Sequence, residues 1–214
     1  TGKSGLFNYE RFIKVACPIQ AKIRPIRYLW EQSILPHQAK NLRLNLLHSL
    51  GYVQPIKLPK TCRSIVTIHD LNFLNIGYLM TRARRMALSY FVKQSAKMAD
   101  HIITVSEFSK NQLINFLGVY PEKITVIHNA IDTRFEALAN FQEISKAYNI
   151  TKPYILAISS LSPHKNIPNL VRAFSKISKA EINQLKLVLA GHLPERSTDL
   201  IKLIEDLKLS DKVI

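Results

Sequence analysis

Two hydrophobic periods alternate along this chain. Short runs rich in Ile and Val stand at 64–69 (SIVTIH), 101–105 (HIITV), 123–128 (KITVIH), 154–158 (YILAI) and 185–190 (LKLVLA), with a weaker one at 44–47 (LNLL). All are short and predict strands, and the β-branched, apolar 64–69 run predicts a buried one. Between them, apolar residues recur every three to four positions, the period of an amphipathic helix. The helices predicted this way cover 27–40 (Leu29, Trp30, Ile34), 82–99 (Ala87, Tyr90 and Phe91 on one side), 106–118, 167–177 (Ile167, Leu170, Val171, Phe174, Ile177) and 198–207 (Leu200, Ile201, Leu203, Ile204, Leu207). Ser106 is a helix cap and Gly118 a stop, Pro168 fits a first turn, and Pro36 leaves the end of the first helix open. Strands alternating with helices predict parallel α/β sheets. Residues 129–152 lack strong periodicity apart from a short helix near 141–148, and read as a connection between domains. The expected division is 1–135, a connection 136–152, and 153–214.

Composition sharpens this picture. Of 214 residues 47% are hydrophobic, enough for buried cores, and no apolar run approaches the roughly 20 residues of a spanning helix. The opening TGKSGLFNYERF lacks the apolar centre of a secretory signal. Two cysteines, Cys17 and Cys62, provide neither a disulfide framework nor metal spacing, so a reducing cytosolic setting is expected. The formal net charge is +15, and Lys3, Arg11, Lys14, Lys22, Arg24, Arg27, Lys40, Arg43, Lys57 and Lys60 face only Glu10 and Glu31 in the early part. A solvated basic surface and a site for anionic partners account for this equally well. The chain opens on Thr1 and closes on KVI, which reads as the beginning of a strand. A polypeptide cut at both ends is expected.

Candidate chemistry follows from topology. Ligands of open parallel sheets bind at the carboxyl ends of the strands. His69 and Asp70 close the 64–69 run, where the plain alternative is a pair that ends a strand by hydrogen bonding to the backbone. Lys165 lies in the loop after 154–158, before a helix start, where a phosphate would find backbone N–H groups. An ordinary exposed lysine is its plain alternative, and Asn166 could simply cap the helix. The arginines at 82, 84 and 85 oppose the dipole of their helix and meet either an anion or water. The N-terminal TGKS resembles the end of a phosphate-binding P-loop, with SIVTIHD as the magnesium-holding strand, but the upstream strand and glycine are absent.

Taken together, RYLWEQSILP (27–36), TIHDL (67–71), ADHIITVSEFSKNQL (99–113), GVYPEKITVIHNAID (118–132) and LSPHKNIPNLVRAF (161–174) resemble family 4 glycosyltransferases, the group 1 retaining enzymes of GT-B fold. The resemblance covers nearly all of 27–214. It implies an α/β chain of two Rossmann-like domains with parallel sheets facing a cleft, both incomplete here. It also implies a nucleotide sugar on the C-terminal side and an acceptor on the N-terminal side. On this resemblance His69 is the catalytic residue facing the sugar. Ser160, Lys165 and Gly191 bind the donor, with Lys165 paired to the diphosphate and Gly191 admitting the nucleotide to the backbone. No metal and no cofactor are expected. The chain departs from the family at Ser159–Ser160, where many members carry Gly-Arg, at His128 and Ala130 in the linker, and at His164, often Arg. Loss of that arginine removes a bidentate phosphate donor. The family's glycine-rich loop would precede Thr1, and its paired glutamates would follow Ile214.

The expectation is a fragment of a hexosyltransferase, inactive alone. The parent enzyme would move mannose from a GDP- or UDP-linked donor, GDP before UDP, to a lipid-linked or polysaccharide acceptor in cell-surface glycan synthesis. It would be cytoplasmic, held peripherally on the anionic inner membrane face by its basic part, and would not bind nucleic acid. Two rivals are a basic nucleic-acid-binding protein with a Rossmann-like core and a P-loop NTPase fragment. Against the first, the aromatics are not interleaved with the basic residues as stacking platforms.

Overall fold

In a computed structural model, the described residues are 15, 19, 23–75, 80–132, 141–151, 153–160, 162–180, 185–191 and 198–214. TGKS, Cys17, Lys3, Arg11, Lys14, Lys22, Lys152, Leu161 and part of the expected connection (133–140) lie outside them. The chain divides into two compact units, Thr1–Ala130 and Ile131–Ile214. Among the described residues no helix is long and apolar enough to cross a membrane.

The first unit is a four-stranded parallel sheet in sequence order: β1 (Leu46–Ser49), β2 (Arg63–Thr67), β3 (His101–Thr104) and β4 (Ile124–Val126). α1 (Arg24–Asn41) precedes β1, α2 (Asn72–Asn75) and α3 (Arg82–Met98) link β2 to β3, and α4 (Glu107–Leu117) leads towards β4. Val66, Ile68, Leu71, Val92, Ile102 and Leu113 form a core with no exposed surface. Each such side chain contributes about 1.5–3 kcal/mol of burial. α4 starts and stops as expected: the Ser106 hydroxyl accepts from the Ser109 N–H, and Gly118 turns left-handed at φ 64°. A short 3-10 turn (Pro121–Lys123) then places the Lys123 ammonium on the Ala96 and Lys97 carbonyls at 3.0 and 2.9 Å, covering the end of α3.

Two helices bury other faces than their hydropathy predicts. In α1, Leu29 and Ile34 are exposed (69% and 47%), while Tyr28 and Ala39 face the core. The inward face carries a polar residue: the Gln32 amide donates to the Gln54 carbonyl at 3.0 Å and accepts from the Ile56 N–H at 2.9 Å. α1 also begins three residues earlier than expected, with Pro25 in its first turn, and runs through Pro36. Contacts on both sides of Pro36 hold the helix where local propensity would break it. In α3, Ala87 and Tyr90 point to solvent and the buried residues are Val92, Ser95 and Ala96. Small residues let the β1–β2 connection lie against the helix, and the Ser95 hydroxyl accepts from the buried Gln54 N–H at 3.0 Å. The arginine-rich first turn of α3 is capped by Thr81, and Arg85 donates to the Leu74 carbonyl.

The amino ends of β2 and β3 are tied by Asp100. Its carboxylate meets the Arg63 guanidinium at 2.7 Å and accepts from the Ser64 N–H at 2.8 Å. Arg63, then the Ser64 backbone, hold the carboxyl below its ordinary value. A depressed carboxyl contributes stability that is complete above its unfolded value, about 3.9, and is lost as pH falls through the folded value. Asp100→Asn is therefore expected to flatten the dependence of urea midpoint on pH below about 4. An unchanged acid limb would show that this pair does not couple folding to protons.

The second unit contains α5 (Phe141–Ala147), β5 (Tyr154–Ile158), α6 (Ile167–Ala180), β6 (Lys186–Ala190) and α7 (Thr198–Asp206). β5 and β6 are parallel over their full lengths, from Tyr154 opposite Lys186 to Ile158 opposite Ala190. Val213 bridges Leu187 in parallel on the other edge of β6, in agreement with the strand-like reading of KVI. Val171, Phe174 and Leu187 are buried, and Leu200, Leu203, Ile204 and Leu207 of the α7 segment pack against them.

Candidate functional site

The chemistry expected of this chain sits at the carboxyl ends of its strands, in two separate groups. In the first unit, β2 ends at Thr67 and the backbone runs on through Ile68 to His69. That path is pinned: the Thr104 hydroxyl donates to the Ile68 carbonyl and the Ser109 hydroxyl to the His69 carbonyl, both at 2.8 Å. His69 thus lies two residues beyond the strand, half-buried. Its Nε2 is 3.1 Å from the Leu50 carbonyl, just past the end of β1. A carbonyl only accepts, so Nε2 carries the hydrogen, and in the neutral ring Nδ1 keeps a lone pair. The neighbouring Asp70 accepts from the Asn72 N–H at 2.9 Å and from the Tyr52 hydroxyl at 3.1 Å.

Tyr52 is the member of this group that sequence reasoning missed. Its ring centre lies 5.6 Å from that of His69. Burial, then the charge of Asp70 and the hydrogen bond to it, push the phenol up to about 12, so it remains a donor at physiological pH. Its backbone is left-handed at φ 57°, held by the Tyr52 N–H on the Thr67 carbonyl at 2.9 Å and by a tight turn from Gly51 to Val53. A non-glycine residue in that region carries strain that the surrounding structure must support, a pattern common at functional sites. The position just beyond β1 was the available signal, by the same strand-end rule that selected His69. A cavity of about 340 Å³ opens beside Tyr52 and Asp70.

In the second unit, β5 and β6 end side by side, which brings Ser159, Ser160 and Gly191 to one edge. The Ser159 N–H donates to the Ala190 carbonyl at 2.9 Å, and the Ser160 and Ser162 hydroxyls are 3.1 Å apart. Lys165 follows in a 3-10 turn (Pro163–Lys165), exposed, with its own N–H on the Ser162 carbonyl. Asn166 adopts a left-handed conformation, and its carbonyl, not its side chain, accepts from the first turn of α6. Gly191 is explained within the fold: a Cβ there would stand 1.8 Å from the Ser159 carbonyl oxygen. The structure therefore groups Ser160, Lys165 and Gly191 around one loop and places His69 in the other unit. Among the described residues no three His, Cys, Asp or Glu side chains are grouped to hold a metal ion.

Residues 3–135 match the sequence profile of Glycosyltransferase Family 4, and residues 140–214 match that of Glycosyl transferases group 1. The chain belongs to glycosyltransferase family 4. Over 156 residues it is 26% identical to the O-antigen chain mannosyltransferase RfbU of Salmonella typhimurium, a match covering 73% of this chain and 40% of that protein. The chain spans about two-fifths of the length of RfbU and of two further curated relatives it matches. Its fold is that of WaaG, a glycosyltransferase involved in lipopolysaccharide biosynthesis (TM-score 0.62, 13% identity, 94% of this chain and 55% of that one). HepE from Anabaena, solved in complex with UDP-glucose, is also similar (TM-score 0.54, 18% identity, 71% of this chain and 41% of that one). These matches set the chain in the α/β GT-B class that its motifs imply, and they do not favour the nucleic-acid-binding or P-loop readings.

Proposed function

We propose that the protein to which this chain belongs transfers a sugar from a nucleotide sugar to a saccharide acceptor, with retention at the anomeric carbon, in the assembly of a cell-surface glycan. The observation that carries this reading is the Ser160–Lys165 loop at the carboxyl ends of β5 and β6, within a chain of group 1 sequence. An exposed ammonium in a turn above a parallel sheet suits a diphosphate, whose charge grows as the nucleotide departs. The finer reading is mannose, supported by the mannosyltransferase name of RfbU, carried on GDP, while the UDP-glucose complex of HepE supports the uridine alternative. The acceptor is a lipid-linked saccharide presented at the cytoplasmic leaflet, where a chain of net charge +15 is held at the anionic surface.

Lys165→Ala tests the donor site. In the whole protein this variant is expected to lose about 1.5–3 kcal/mol in kcat/KM for the nucleotide sugar, the range for a hydrogen bond to a charged group. Its thermal midpoint should stay put, because the side chain is exposed. Unchanged kcat/KM would remove Lys165 from the donor site.

A further inference from the structure

The cavity beside Tyr52 and Asp70 has two chemically different walls. One wall comes from the β1–β2 connection and the loop after β2, and carries the Tyr52 hydroxyl, the Asp70 carboxylate and Asn72. The other comes from helices: Arg27 and Tyr28 of α1, and Arg84 in the first turn of α3. Both carboxylate oxygens of Asp70 are anchored, one by the Tyr52 hydroxyl and one by the Asn72 N–H, and each retains a lone pair for a further hydroxyl donor. The two tyrosines add aromatic surface with polar tips, which suits the mixed polarity of a sugar ring.

The helical wall is cationic and incompletely satisfied. The Arg27 Nε is buried and makes no hydrogen bond, although Glu31 lies 3.3 Å away. Burial pushes the Glu31 carboxyl up against the opposing pull of Arg27. The Arg27 guanidinium also lies over the Tyr28 ring at 5.2 Å. No ion pair to Arg84 is present among the described residues. At about 340 Å³ the cavity is near the lower end of the ~300–1,000 Å³ range of small-molecule sites, room for one sugar unit and not an oligosaccharide.

We propose that this cavity binds the sugar phosphate end of the acceptor, with the anion on Arg27 and Arg84 and the sugar hydroxyls on Asp70 and Tyr52. The assignment rests on the reading of the first unit as the acceptor side. Polarity within the cavity fixes the orientation: the Asp70 carboxylate repels a phosphate placed against it and accepts hydroxyls, while planar guanidinium groups take phosphate oxygens in pairs. A neutral sugar would fill the hydroxyl half and leave the cationic half without an anion.

Calorimetry on the whole protein tests this. Glucose, galactose and mannose 1-phosphates are titrated beside the same sugars without phosphate, inorganic phosphate, and a hexose diphosphate on a short prenyl chain. At least one hexose 1-phosphate is expected to bind at least tenfold more tightly than its neutral sugar and than inorganic phosphate. Arg84→Gln should weaken it at least tenfold and Arg84→Lys less. Lys165→Ala should leave it unchanged while weakening GDP and UDP, which separates this site from the donor loop. A tenfold advantage for the prenyl-linked probe assigns a lipid-linked source, and equal binding assigns a soluble one. The proposal is overturned by equal binding of neutral sugars, by equal binding of inorganic phosphate, by an indifferent Arg84→Gln variant with an unchanged melt, or by no binding of any hexose 1-phosphate at millimolar concentration. Loss of phosphosugar binding in Lys165→Ala would move the ligand to the donor loop. Phosphosugar binding without binding of GDP or UDP would instead count against the donor reading and leave this one standing.

Discussion

Gly191→Ala is expected to destabilise the second unit by about 3 kcal/mol or more, beyond the usual ~1–3 kcal/mol of an overpacked site. The added Cβ would meet the Ser159 carbonyl oxygen at 1.8 Å and the carbonyl carbon at 2.7 Å. Both are backbone atoms, so no rotamer change relieves the contact. The two strand ends must part instead, and the hydrogen bond from the Ser159 N–H to the Ala190 carbonyl lies directly in the way. Gly118 provides the comparison. It has a left-handed φ of 64° but open space around its Cβ position, so Gly118→Ala carries only the conformational cost of about 1–2 kcal/mol. Urea unfolding of both variants separates close approach from backbone conformation. If Gly191→Ala is as mild as Gly118→Ala, the ends of β5 and β6 are free to separate. Displacement of Ser159 also shifts Ser160, so in the whole protein the same variant should weaken donor binding more than the exposure of Gly191 alone would suggest.

The parts of the fold that sequence made legible are those where hydropathy and burial coincide. Ile and Val runs marked the strands, and in β2 and β6 they are also buried residues, whereas β5 keeps Leu156 and Ile158 49% and 80% exposed; the structure ends β2 at Thr67 and limits β4 to Ile124–Val126. α6 was legible for the same reason: Ile167, Val171 and Phe174 are both its apolar stripe and its buried face. α1 and α3 were misread because their inward faces use Gln32, Ala39, Ser95 and Ala96, residues that bury by hydrogen bonding or by small size. Their exposed Leu29 and Tyr90 dominate the pattern without contributing to the core. For the candidate site, the family resemblance supplied Ser160 and Gly191, and the strand-end rule selected His69 and Lys165 without any knowledge of contacts. It was not applied after β1, because the weak 44–47 pattern put that strand two residues too early, and so Tyr52 was missed. Its contact with Asp70 joins residues 18 apart, a pairing that no local pattern encodes.

His69→Ala is expected to lower kcat of the whole protein by about 10²–10³-fold, the effect of removing one preorganised group that acts on developing charge. The geometry supports a positioned ring and not a mobile one. Nε2 is committed to the Leu50 carbonyl, the Tyr52 ring stands 5.6 Å away, and the backbone carbonyl of His69 is held by Ser109. Nδ1 is then the ring nitrogen left to meet a substrate, and its direction follows from the Nε2 contact with the Leu50 carbonyl. Such a group acts mainly in the transition state, so kcat should fall with little rise in donor KM. The structural cost should be small, about 0.5–1.5 kcal/mol for one hydrogen bond at a half-buried position, and a melt of the variant measures it directly. Tyr52→Phe provides a graded companion. It keeps the ring against His69 but releases Asp70, so it should reduce kcat less than His69→Ala does. If kcat per folded molecule is normal in His69→Ala, the histidine only fastens the end of β2 to the end of β1.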